Sequence, residues 1–117
     1  MGQNNLDYIQ LCQLDDIGES DSKGFTVTIK GKQENIFVVR KKAQIYAYKN
    51  SCPHTQAPLD WRPDEFLDED KKTIICALHG ATFGIEDGKC LQGPCNGRGL
   101  QSVTVKVSEE TIYLKII

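Results

Sequence analysis

The sequence predicts an all-β fold, with a ligand-bearing stretch inserted into the second half of a β framework. Three observations predict it. Apolar and polar residues alternate in short runs, as along half-buried strands. Those runs are rich in β-branched and aromatic residues. Turn-forming Gly, Asn and Asp punctuate them, and no run carries the helical period over a normal helix length. The 117 residues suffice for one domain with one modest core.

Taken in order, Tyr8-Ile9-Gln10-Leu11-Cys12 reads as the first strand and Leu14-Asp15-Asp16-Ile17-Gly18 as a turn or short 3₁₀ piece. Phe25-Thr26-Val27-Thr28-Ile29 alternates as a half-buried strand should. Ile36-Phe37-Val38-Val39 and Ile45-Tyr46-Ala47-Tyr48 predict a hairpin turning near Lys41-Lys42. The character changes after Asn50. Residues 51–101 hold all four prolines and four of the five cysteines. Within them Thr73-Ile74-Ile75-Cys76 and Ala81-Thr82-Phe83-Gly84-Ile85 read as short strands, and Asp87-Gly88 as a hairpin turn. Plain alternation then returns. Val103, Val105 and Val107 are expected to face inward, with Thr104 and Lys106 outward, before Ile112-Tyr113-Leu114-Lys115-Ile116 closes the sheet.

Composition narrows the function. Fourteen basic against sixteen acidic residues give a net charge of -2. That balance offers no electrostatic footprint for nucleic acid and no polybasic patch for a membrane surface. No apolar run approaches a membrane span, and the polar start Met1-Gly2-Gln3-Asn4-Asn5-Leu6-Asp7 has no signal-peptide core. The expected location is cytoplasmic. An odd count of cysteines, Cys12, Cys52, Cys76, Cys90 and Cys95, argues for metal ligands and thiols over a disulfide framework.

The chain has two histidines, and each stands beside a cysteine: Cys52-Pro53-His54 and Cys76-Ala77-Leu78-His79. Two thiolates and two imidazoles make one full ligand set. Such a set serves either a zinc ion or a [2Fe–2S] cluster with two Cys on one iron and two His on the other. Zinc pairs usually place like ligands together, whereas each loop here mixes the two kinds. The spacing therefore favours iron–sulfur and leaves zinc open. Charge arithmetic shows what the mixed set does. Two ferric ions, two sulfides and two thiolates sum to zero, and neutral imidazoles add nothing. An electron is added more easily to a neutral cluster than to the anion that four thiolates would make, so His ligation raises the potential.

With those pairs in view, the chain resembles the Rieske [2Fe–2S] family. The resemblance rests on Cys52-Pro53-His54-Thr55-Gln56-Ala57-Pro58-Leu59-Asp60-Trp61, on Cys76-Ala77-Leu78-His79-Gly80-Ala81-Thr82-Phe83 with Asp87-Gly88 beyond it, and on Gly93-Pro94. It covers residues 50 to about 101. It implies an antiparallel β sandwich or partial barrel (about 1–50 and 101–117) carrying a small cluster-binding subdomain (about 51–100), all within one domain. It also implies one Rieske-type cluster, with Cys52 and Cys76 on the inner iron and His54 and His79 on the outer. Pro58, Leu59 and Pro94 would shield it, and Gly80 and Gly93 would let the backbone come close.

Departures from the respiratory-chain branch inform the potential. Ala57 and Leu78 stand where that branch carries a disulfide-forming Cys, and Ala81 and Phe83 where it carries hydroxyls that hydrogen-bond the cluster. Fewer donors place the expected potential near the low end of the Rieske range, about -150 mV. Twenty-one residues separate His54 from Cys76, more than in a typical ferredoxin-type member. The extra length, around Asp64-Glu65-Phe66-Leu67-Asp68-Glu69-Asp70, reads as a solvated acidic loop or as a docking surface for a basic partner. Cys12, Cys90 and Cys95 are expected to be unlinked small hydrophobes in a reducing compartment; Cys90 and Cys95 flank Leu91-Gln92-Gly93-Pro94, and a disulfide or regulatory thiol pair there is the alternative.

The resemblance implies an electron-transfer protein, not an enzyme: a monomeric ferredoxin between a flavin reductase as donor and an oxygenase or other oxidoreductase as acceptor. Three other readings stay open at this point. They are an accessory subunit of a larger oxidoreductase, a zinc-bound interaction module and a redox sensor.

Overall fold

Strand β3 (Lys32–Lys41) is the centre of the molecule. The computed structural model describes residues 8–42, 44–51, 59, 64–76, 80–92 and 99–115. Among them, nine strands form three antiparallel three-stranded sheets. The central sheet has the order β2-β3-β4, with β2 spanning Asp21–Ile29 and β4 Gln44–Lys49. Ile36, Phe37, Val38 and Val39 follow one another in β3, and all four are buried. Side chains alternate between the faces of a strand, so an unbroken apolar run requires both faces to be covered.

The two faces have different covers. Ile36 and Val38 pack with Ile112, Leu114 and Ile17, together with half-buried Leu11, Val103 and Val105. Of these, Leu11, Val105, Ile112 and Leu114 belong to a sheet of order β1-β9-β8, with β1 at Tyr8–Gln13, β8 at Val105–Ser108 and β9 at Thr111–Lys115. Phe37 and Val39 face the other way, into a core with Tyr48, Phe66, Ile74, Cys76 and Phe83. This second cover includes the sheet β5-β6-β7, with β5 at Thr73–Ile75, β6 at Thr82–Gly84 and β7 at Cys90–Gln92. The predicted all-β, antiparallel fold is therefore present, in layers on either side of β3.

Most predicted strands fall where the alternation placed them. The 3₁₀ turn occupies Leu14–Asp16, and the β3–β4 hairpin turns through Lys42 at φ +52°. Two differences stand out. Val107 is 45% exposed rather than inward-facing, because β8 is an edge strand and Val107 sits where it runs out towards the Glu109-Glu110 turn. Strand β7 is absent from the expectation. It has three residues, and Leu91 in it is 57% exposed, so it carries no apolar alternation to detect.

The acidic segment differs more. It is neither a free solvated loop nor only a surface. Phe66 is fully buried and stacks on Phe37, with centroids 4.3 Å apart and planes 5° from parallel. Leu67 is buried and bridges to Ile74. The Gly24 N–H donates to Asp64 Oδ1 (2.8 Å), and Ser22 Oγ donates to the Asp64 carbonyl (2.8 Å). Gly24 is required by the close approach: a Cβ there would stand 3.2 Å from Phe66 Cζ. Asp68 accepts from the Lys72 N–H (2.9 Å) and from Thr73 Oγ1 (3.0 Å). Burial pushes its carboxyl up, but the hydrogen bonds from Lys72 and Thr73 outweigh that and hold it below the ordinary value. Two of the segment's carboxylates thus tie the backbone together, and Glu65, Glu69 and Asp70 remain exposed.

Candidate metal centre

Of the four predicted ligands the structure describes Cys76; Cys52, His54 and His79 lie outside the described residues, as do Pro58, Gly93, Pro94 and Cys95. What the structure does show is how the segments that carry them are held at their bases.

The second segment leaves the end of β5. Cys76 donates its N–H to the Ala81 carbonyl (2.8 Å), and Gly80 donates back to the Cys76 carbonyl (3.0 Å). Gly80 has φ +71°, a left-handed conformation that a Cβ would strain. The third segment leaves the end of β7 and is closed by the Lys89–Gly99 bridge, with the Leu100 N–H donating to the Gly88 carbonyl (2.8 Å). In register, Ile75 pairs with Thr82 and Thr82 with Gln92. The segments after Ile75 and after Gln92 therefore leave the same end of the same sheet.

The first segment is held differently. The Asn50 N–H donates to the Asn35 carbonyl at the start of the β3–β4 ladder (2.8 Å). The Asn50 side chain accepts the Leu59 N–H (2.7 Å). Leu59 in turn is fully buried in the core that contains Cys76, Ala81 and Phe83. The first segment is thus pinned to the framework at one end and to the Cys76 core at the other.

Cys76 is fully buried among apolar side chains. A thiolate at that depth would need a neutralising cation beside it. Ala81 and Phe83 are also fully buried and offer no hydroxyl. Tyr48 links the framework to this layer through its hydroxyl, which donates to the Ile85 carbonyl (2.5 Å). Burial, and after it Asp87 and Glu86, push its pKa up to about 12, so it remains a donor.

The remaining cysteines divide. Cys12 packs half-buried beside Ile17 and Val38, as a small hydrophobe should. Burial foremost, with Asp16 adding to it, raises its thiol pKa. Cys90 corrects the favoured expectation of an unlinked thiol and follows the alternative, because it is disulfide-bonded. The expectation rested on the average redox state of a compartment, whereas a particular cross-link depends on what the chain brings against Cys90.

The layered fold, a buried cysteine at the base of a tied loop and two loops leaving one sheet end agree with the family comparison. A model of the Rieske [2Fe-2S] domain matches residues 7–111. The chain belongs to the Rieske [2Fe–2S] domain family. As a Rieske protein it carries one [2Fe–2S] cluster of the mixed Cys/His type. It is 30% identical over 105 residues to the ferredoxin component of the alkene monooxygenase system of Xanthobacter autotrophicus, covering 90% of this chain and 78% of that one. Its fold matches the ferredoxin of carbazole 1,9a-dioxygenase from Nocardioides aromaticivorans IC177 (TM-score 0.73, 22% identity, 95% of this chain and 99% of that one). The match to a complex of reduced oxygenase and oxidized ferredoxin in carbazole 1,9a-dioxygenase is equally good (TM-score 0.73, 24% identity, 95% and 94% covered). Like these ferredoxins, the Rieske chain is an electron-transfer protein rather than a catalyst. Among the described residues, no helix is long and apolar enough to cross a membrane.

Proposed function

We propose that this Rieske protein is the diffusing ferredoxin of a multicomponent oxygenase system. It takes single electrons from a flavin reductase and delivers them to an oxygenase or another oxidoreductase, as a cytoplasmic monomer. Cys52 and Cys76 hold the inner iron, and His54 and His79 the outer. When bound, the cluster supplies a one-electron couple. The chain's own residues do the rest. Cys76 supplies a buried thiolate, Leu59 and Phe83 keep water from it, and the tied loop bases hold the ligands in place. Reorganisation on electron transfer is thereby kept small. Ala81 and Phe83, lacking hydroxyls, leave the potential near the low end of the Rieske range, about -150 mV. The whole chain, 1–117, is one domain, with its framework at about 1–50 and 101–117 and its cluster-binding subdomain at about 51–100. The core that joins Phe37, Val39 and Tyr48 of the framework to Phe66, Ile74 and Cys76 supports that division.

The observation that carries this reading is the buried Cys76 at a loop base, beside a second loop leaving the same sheet end, in a chain whose relative is a monooxygenase ferredoxin component. Gel filtration of native extract, with the protein followed by antibody, tests it. We expect elution at the mass of the single chain. Transient redox encounters bury little surface and do not survive dilution. Co-elution with a large enzyme would overturn the diffusing carrier and make the chain a bound subunit.

A further inference from the structure

The bases of the second and third cluster-bearing segments are closed by backbone-to-backbone hydrogen bonds: Cys76 with Ala81 and Gly80, and Gly88 and Lys89 with Leu100 and Gly99. None of these bonds uses a side-chain donor or acceptor. The first segment is different: among the described residues, a tie across its base runs through a side chain. Asn50 accepts the Leu59 N–H at 2.7 Å, and the residues between them, 51–58, include Cys52 and His54.

We infer that Asn50 is the positioning residue for the first ligand pair: its side-chain oxygen sets where the Cys52–His54 segment rejoins the core. This rests on the ligand roles proposed above. Three observations carry it. Asn50 is itself fixed, since its N–H donates to Asn35 and the preceding Lys49 N–H donates to the Gln101 carbonyl (2.8 Å). Leu59 is fully buried in the core that also holds Cys76, so the tie relates the first segment to the second. The Leu59 N–H finds its acceptor in Asn50, and removing that acceptor leaves a donor next to an apolar core, a costly arrangement that the backbone relieves by moving.

The chemistry makes the requirement specific. The position needs an acceptor oxygen on a short side chain. Aspartate meets that need and leucine of similar size does not. Asn50→Leu is therefore expected to lose iron and sulfide about tenfold faster or more, as when supporting contacts around a metal site are removed. Asn50→Asp is expected to keep its cluster for as long as the wild type, with a lowered potential, because a negative charge near the cluster opposes the incoming electron.

The test compares wild type, Asn50→Leu, Asn50→Asp and Ile112→Val, all as purified holoprotein. Ile112 lies in the other core, beside Val38, and serves as a control for general loss of stability. The readouts are iron and sulfide content over time in air, reduction potential, and hydrogen exchange in the peptide spanning 51–59. The expected result is fast cluster loss and lost protection of the Leu59 amide in Asn50→Leu alone. A wild-type cluster lifetime and wild-type exchange in Asn50→Leu would overturn the inference. So would equal cluster loss in Ile112→Val. An Asn50→Leu variant that does not fold shifts the decision to Asn50→Asp, where loss of the cluster overturns the inference. A wild type without iron and sulfide would instead overturn the ligand roles, and the exchange data would still report on the tie.

Discussion

Phe66→Ala is expected to destabilise the protein by about 3–5 kcal/mol, the usual cost of emptying a fully buried aromatic site. The sequence places Phe66 inside an acidic stretch, where a surface role is the natural expectation. The structure stacks it on Phe37 at 4.3 Å, between the framework and the layer that carries Cys76. The cavity would open against Phe37, Leu67 and Ile74, and the neighbouring Gly24 offers no side chain to fill it. The urea midpoint of the intact protein measures the effect. Glu65→Ala is the contrast: Glu65 is exposed, and its replacement should fall within about 0.5 kcal/mol of zero. Equal, small effects at both positions would show that the segment is a loose loop after all.

The second large effect is electronic. His79→Cys, or His54→Cys, replaces a neutral imidazole with a thiolate and adds one negative charge to the cluster. The potential should fall from about -150 mV towards the plant-type value of about -400 mV. Protein-film voltammetry on a variant with full iron and sulfide content measures it. An unchanged potential with an intact cluster would mean that the replaced histidine is not a ligand. Folding stability is expected to change little by comparison, because the core on the Ile36–Val38 face of β3 is built from apolar side chains such as Ile17, Ile112 and Leu114.

How much of this was legible in the sequence follows from the range of the forces involved. The strands of the framework were legible because their signals are local: Phe25 to Ile29 announces a face every second residue, and Ile45 to Tyr48 is rich in β-branched and aromatic residues. The continuous run Ile36–Val39 showed a strand but not its two covers, which come from distant parts of the chain: Phe66, Ile74 and Phe83 on one face, Ile17, Ile112 and Leu114 on the other. The candidate ligands were legible because both histidines fall beside cysteines. Their supports were not. Asn50 reads as an ordinary turn residue until Leu59 is seen to donate to it. Phe66 reads as a stray aromatic until Gly24 leaves room for it against Phe37. Val107 keeps the alternation yet stays exposed, because the pattern does not record where a sheet edge outruns its cover. The disulfide at Cys90 was legible only as the less favoured alternative: compartment statistics describe a population of thiols, and one disulfide depends on one encounter.

Pulsed EPR of the dithionite-reduced protein decides whether Cys52, Cys76, His54 and His79 together hold one iron–sulfur cluster. With iron and acid-labile sulfide assayed on the same sample, the expected result is a paramagnetic signal coupled to two imidazole nitrogens, and the loss of one of those couplings in His54→Cys or His79→Cys. A reduced cluster without nitrogen couplings, or a protein that holds zinc and no sulfide, would contradict it.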